Sequence, residues 1–138
     1  MKPPEDVARQ LARDWLAKAE TDLLVCEQLA HQGVAFSEAV AFHAQQAAEK
    51  SLKALLVSRQ MEFPKTHDME RLLELVGSGD EPLAELLSAA AELTPYGVEY
   101  RYPGEYPPVS VDAAVASVAV ARRVYDQVVQ HFPGYQRP

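Results

Sequence analysis

From Ser37 to Arg59 the chain runs without a glycine or a proline, and its apolar positions there recur at helical steps. Val40, Ala44, Ala47, Ala48, Ala54 and Leu55 fall on one arc and are mostly small. Strand side chains alternate with a period of two, so this spacing predicts a helix. Small residues let neighbouring helices approach closely, which makes the segment the expected centre of a helical bundle. Ser37 stands where an N-cap is wanted.

Four further segments carry the same period. From about Glu5 to His31, Leu11, Trp15, Ala19, Leu23, Cys26 and Ala30 form an inner arc, with Arg13, Glu20, Thr21, Glu27 and Gln28 opposite, and Gly33 stops the helix. Thr66 reads as the cap of a short helix carrying Met69, Leu72, Leu73 and Val76, which the Gly-Ser-Gly-Asp turn at 77–80 ends. Pro82 opens a helix with Leu83, Leu86, Leu87 and Ala90 inward. Ser110 caps a last helix to about Phe132, with Ala114, Val118, Ala121, Tyr125, Val128 and Phe132 inward. Alternation and internal repeats are absent. The expected fold class is all-α, an antiparallel helical bundle of about five helices, in one domain over 1–138 with its core at about 10–132.

Size and charge narrow the function. A chain of 138 residues, 48% apolar, suffices for one domain with a core. Its net charge of −7 opposes nonspecific attraction to nucleic acid or an anionic membrane. A single cysteine, Cys26, rules out an internal disulfide and a thiolate zinc cluster. No apolar run approaches the ~20 residues that span a bilayer, and no apolar signal region follows the first residues. A soluble, cytoplasmic protein with no membrane association is expected. His31, His43, His67 and His131 lack metal-type spacing, and no Gly-rich phosphate loop occurs, so no metal or cofactor is expected.

Three polar features interrupt the apolar pattern. Lys18 and Asp22 sit four apart within the first helix's apolar arc, either as an edge ion pair or with Asp22 facing a basic group on a neighbouring helix. His43, Gln46, Lys50 and Lys53 form a stripe along the border of the central helix's apolar arc, either solvated or functional. Residues 94–109 hold four of the six tyrosines and four of the ten prolines, a Tyr/Pro loop that either covers one end of the bundle or binds something.

The stretch Ala41-Phe-His-Ala-Gln-Gln-Ala-Ala-Glu-Lys-Ser-Leu-Lys-Ala-Leu-Leu56 resembles the signature helix of HEPN domains. Three more stretches are similar to that family in order and spacing: Trp15 to Leu23 to its first helix, Lys65 to Met69 with Leu72 and Leu73 to its third, and Tyr100-Arg-Tyr-Pro103 to an element before its last helix. The resemblance covers roughly 10–132. It implies a prokaryotic bundle of about five helices, similar to the helical domain of aminoglycoside nucleotidyltransferases. It also implies a homodimer, often encoded beside a minimal nucleotidyltransferase, and raises the question of a toxin–antitoxin pair.

One branch of the family cleaves RNA without metal, using an Arg followed by four to six residues and a His. Arg101 is followed at that distance by Tyr106, Pro107 and Pro108, while His131 lies just beyond reach of Arg122 and Arg123, and His67 just beyond reach of Arg59. The motif is absent, so the expectation is a non-catalytic interaction module that partners a nucleotidyltransferase and contributes to nucleotide or substrate binding. The alternatives are a nucleotide- or anion-binding bundle, and a divergent toxin-like ribonuclease using His43 or His67 with Arg101. The expected ligand- or partner-binding residues are His43, Gln46, Lys50, Arg101 and Tyr102, lining one groove.

Overall fold

The computed structural model describes residues 4–135, with Arg101 described by its backbone alone. Six α-helices follow in order: α1 (Glu5–Leu29), α2 (Ser37–Ser58), α3 (Met69–Gly79), α4 (Glu81–Leu86), α5 (Thr94–Val98) and α6 (Val111–Val129). 3-10 segments lie at Val34–Phe36, Ser88–Leu93 and Glu99–Arg101, and no strand occurs among the described residues.

The alanine-rich helix is the axis of the bundle. α2 packs on α1, α6, α3 and α5, and Ala41, Ala44, Ala47, Ala48 and Ala54 are fully buried. Leu52, Leu55 and Leu56 fill the space beside them with Leu16 and Leu23 of α1 and Tyr125 and Val128 of α6. Each such buried leucine contributes about 1.5–3 kcal/mol by leaving water. Cross-links set the directions. Asp22 of α1 meets His43 and Lys50, while Lys53 lies over Trp15, so α1 and α2 run antiparallel. Glu27 near the end of α1 pairs with Arg122, and Arg13 near its start donates to Pro133 O at 3.4 Å, so α1 and α6 are antiparallel too.

Local chemistry shifts several boundaries. Ser37 begins α2 but caps nothing; the turn at Val34–Phe36 runs straight into the helix, and Phe36 is the N-cap. Asp68, not Thr66, caps α3 by accepting from Glu70 N, while Thr66 Oγ1 accepts from Asp68 N. The 77–80 turn is no loop: α3 continues to Gly79, and Asp80 both closes it and caps α4 through Leu83 N. Residues 94–101 are helical, α5 plus a 3-10 turn, where the composition predicts a structureless loop. Pro95 in its first turn suits that start.

Burial also departs from the helical arcs in places. Leu11 and Leu86, expected inside, are exposed, because a helical stripe is buried only where another element lies opposite it. Val118 is half-buried, and Glu20, expected outside, is buried in the middle of α1.

Candidate functional site: a polar seam on the central helix

Two polar rows run along α2. One is His43, Gln46 and Lys50; the other is Gln45, Glu49 and Lys53, spaced four apart and therefore stacked on one face. The second row is buried: Gln45 and Glu49 are almost fully covered, and the Lys53 side chain is only 8% exposed. A buried charge is costly unless paired and hydrogen-bonded. Each carboxylate near this seam therefore gathers partners.

Asp22 holds the first cluster. His43 Nδ1 lies 2.9 Å from Asp22 Oδ1, and Lys50 Nζ lies 2.6 Å from Asp22 Oδ2. An ionised carboxylate only accepts, so His43 Nδ1 carries the donated proton. Of the two arrangements open for Asp22, the one facing basic groups on a neighbouring helix is realised; Lys18 points into solvent. Glu49 holds the second cluster. It accepts from Gln45 Nε2 at 2.9 Å and Lys53 Nζ at 3.1 Å, and His67 Nδ1 lies 2.8 Å away. Gln46 Nε2 links the rows by donating to Gln45 Oε1 at 2.7 Å. Lys53 Nζ also sits over the rings of Trp15 and Phe63, 5.5 and 5.8 Å from their centres, a favourable cation–π arrangement.

α5 crosses the top of the buried row. At Gly97 an added Cβ would overlap the Gln45 carboxamide, so only glycine permits this approach.

The seam opens into a cavity of about 510 Å³ between α1, α2 and the connector to α3. Its lining includes Trp15, Gln46, Glu49, Lys50, Lys53, Phe63, Lys65 and His67. Of the five residues expected in one groove, Gln46 and Lys50 line this cavity and His43 joins Lys50 through Asp22. Tyr102 lies exposed after α5 and is not in the lining, and the side chain of Arg101 falls outside the described residues. The cavity wall is the connector with Phe63, Lys65 and His67, not the Tyr/Pro segment. Within that segment, Tyr100 donates to Pro107 O at 2.8 Å and its ring contacts those of Tyr96 and Tyr106.

Sequence reasoning missed Glu49 and Lys53 as a buried pair, Trp15 and Phe63 as cavity walls, and His67 as a partner of α2. A signal existed: Gln45, Glu49 and Lys53 recur every four residues on a helix whose other positions are small and apolar. Chemically, the cavity offers amine cations, a carboxylate-bound imidazole and aromatic faces. It brings a histidine together with lysines, and no described arginine lines it. Among the described residues no group of histidine, cysteine and carboxylate side chains is placed to hold a metal ion. Cys26 is buried in α1, and burial, helped by the Glu27 charge, pushes its thiol up to about 12. No helix among the described residues is long and apolar enough to cross a membrane.

Comparison with known proteins places this geometry. Residues 12–131 match the HEPN domain. The crystal structure of TT1696 from Thermus thermophilus is similar, with a TM-score of 0.68 and 28% identity, covering 86% of this chain and 96% of that one. No curated protein matches the sequence.

Proposed function

The chain belongs to the HEPN domain family, and we propose that it is a non-catalytic interaction module, a dimer that partners a minimal nucleotidyltransferase and offers it a surface for a nucleotide or another anionic substrate. The supporting observation is how the seam's cations are held. Lys50 and Lys53 are each fixed by a buried carboxylate, and His43 and His67 are bound to the same two carboxylates. Lys50 and His67, part-exposed at the cavity, are thereby held in place for contact, which lowers the ordering cost of binding. The single-domain reading and the cytoplasmic location belong to the same proposal.

Co-expression with whatever protein the neighbouring gene encodes tests it, a minimal nucleotidyltransferase being the expected one. The expected result is a stoichiometric complex and, for the isolated chain, a dimer in equilibrium sedimentation. A strict monomer that never co-elutes with that enzyme overturns it.

A second reading is an anion- or nucleotide-binding bundle acting alone. The cavity favours it: about 510 Å³ lies within the roughly 300–1,000 Å³ common for small-molecule sites, with aromatic faces and lysines in one lining. AMP binding by the isolated chain, read by Trp15 fluorescence, with no nucleotidyltransferase co-eluting favours this reading over the first. RNA cleavage abolished by His43→Ala or Arg101→Ala would instead favour the divergent ribonuclease.

A further inference from the structure

The lysines of this chain are Lys2, Lys18, Lys50, Lys53 and Lys65. Lys2 lies outside the described residues, and the other four all border two adjoining depressions that share Trp15. They share that surface with Asp14, Glu49 and, behind Lys50, Asp22, so which of the lysines are left unpaired decides its charge. The first depression is the cavity at the seam. The second, about 220 Å³, runs along α1 and is lined by Leu11, Asp14, Trp15 and Lys18. Val7, 51% exposed, and Leu11, 45% exposed, extend it towards the start of α1. Val7, Leu11, Trp15 and Lys18 recur at steps of four, four and three, so they form one stripe of roughly 16 Å at 1.5 Å per residue. That length matches about three turns of a second helix.

We propose that this stripe, with the cavity beside it, docks an acidic, apolar-anchored helical segment of a partner protein. The inference rests on the reading of the chain as an interaction module, and adds the surface used and the chemistry the partner presents. Charge decides the occupant. Lys50 and Lys53 are already paired with Asp22 and Glu49, whereas Lys18 and Lys65 have no ion pair among the described residues. Lys18 lines one depression and Lys65 the other, and Trp15 lines both. Asp14, the carboxylate on the stripe, accepts from Gln10 Nε2 at 3.0 Å. Two unpaired amines beside an apolar stripe suit a helix with apolar anchors and carboxylates next to them, the helix-in-groove mode of recognition. A nucleic-acid backbone calls for many more cations than two. A small anion held in the cavity leaves the stripe of Val7 and Leu11 unused. Trp15 at the centre is the residue type that most often anchors such contacts.

Trp15 is the only tryptophan, so its fluorescence reports this surface directly. The probe is a synthetic sixteen-residue amphipathic peptide with leucines on one face and glutamates elsewhere, titrated into the full chain. A saturable blue shift is expected, with a Kd of roughly 10–100 μM, weakening as salt screens the lysines. The double variant Lys18→Glu/Lys65→Glu should bind at least tenfold more weakly with an unchanged circular dichroism spectrum, both side chains being exposed. The same peptide with lysines in place of glutamates should leave the signal flat.

The proposal is overturned by a flat response to the acidic peptide up to about 1 mM, or by equal binding of the double variant. It is also overturned if oligouridylate displaces the peptide, or if the double variant alters only self-association. Should the neighbouring nucleotidyltransferase co-elute equally with wild type and double variant, the docking surface is wrong and the module reading stands. Should the peptide bind as expected while no nucleotidyltransferase co-elutes, the docking surface stands and that partner is wrong.

Discussion

Asp22 and Glu49 each hold one histidine and one lysine, yet they sit in different surroundings. Around Asp22 the lysine side chain is 22% exposed, and the cluster ties α1 to α2 at the edge of the cavity. Around Glu49 the lysine is 8% exposed and capped by two aromatic rings, and the carboxylate itself is almost fully covered. The residue types match while the access to water does not. An ion pair at a wet edge gains little and costs little to lose, because a long lysine stem can turn its amine outward. A dry pair holds its partners in place and strands one charge when the other is removed.

The largest effect should therefore come from Glu49→Ala, which leaves Lys53 buried without its carboxylate. A loss of about 3–5 kcal/mol in urea unfolding is expected. The double change Glu49→Leu/Lys53→Met should recover most of that loss, since apolar residues of similar volume often replace a buried pair at no net cost. Failure of the double variant to recover would mean that Gln45 and His67 depend on the carboxylate more than Lys53 does.

Gly97→Ala probes the same dry row from above. Its Cβ would overlap the Gln45 carboxamide, and a loss of about 1–3 kcal/mol is expected from overpacking. Asp22→Ala should cost less than Glu49→Ala, about 1–2 kcal/mol, because Lys50 can reach solvent. Equal losses at Asp22 and Glu49, measured in the same buffer, would break the comparison between the wet and dry clusters.

Cys26 gives the smallest effect at neutral pH. Burial, with the Glu27 charge second, raises its thiol from 9.0 to about 12 in the folded chain. The unfolded chain ionises first as pH rises, so the folded state's advantage from the protonated thiol is complete below pH 9 and lost as pH climbs towards 12. Wild type should therefore lose stability across that range relative to Cys26→Ala, with no such divergence at pH 7. Iodoacetamide should label Cys26 slowly in the native chain and quickly in urea.

The all-helical architecture and the central place of α2 were legible because periodicity acts through local backbone chemistry, while α1 ends at Leu29, ahead of the expected stop at Gly33. Caps were legible to within two residues: Ser110 holds, while Asp68 replaces Thr66, whose hydroxyl takes the Asp68 amide just ahead of the helix. The stripe of His43, Gln46 and Lys50 was visible as spacing, and so was the possibility that Asp22 faces another helix. Its partners were not. That Asp22 takes Lys50, that Glu49 takes Lys53 and His67, and that Trp15 walls a cavity all depend on contacts between segments far apart in sequence. Leu11 shows the same limit from the other side. The period puts it on the apolar arc, but only the placement of neighbouring elements leaves it in water. Sequence alone determined which faces could be buried; tertiary structure decided which were, because burial requires a second surface and periodicity describes only the first.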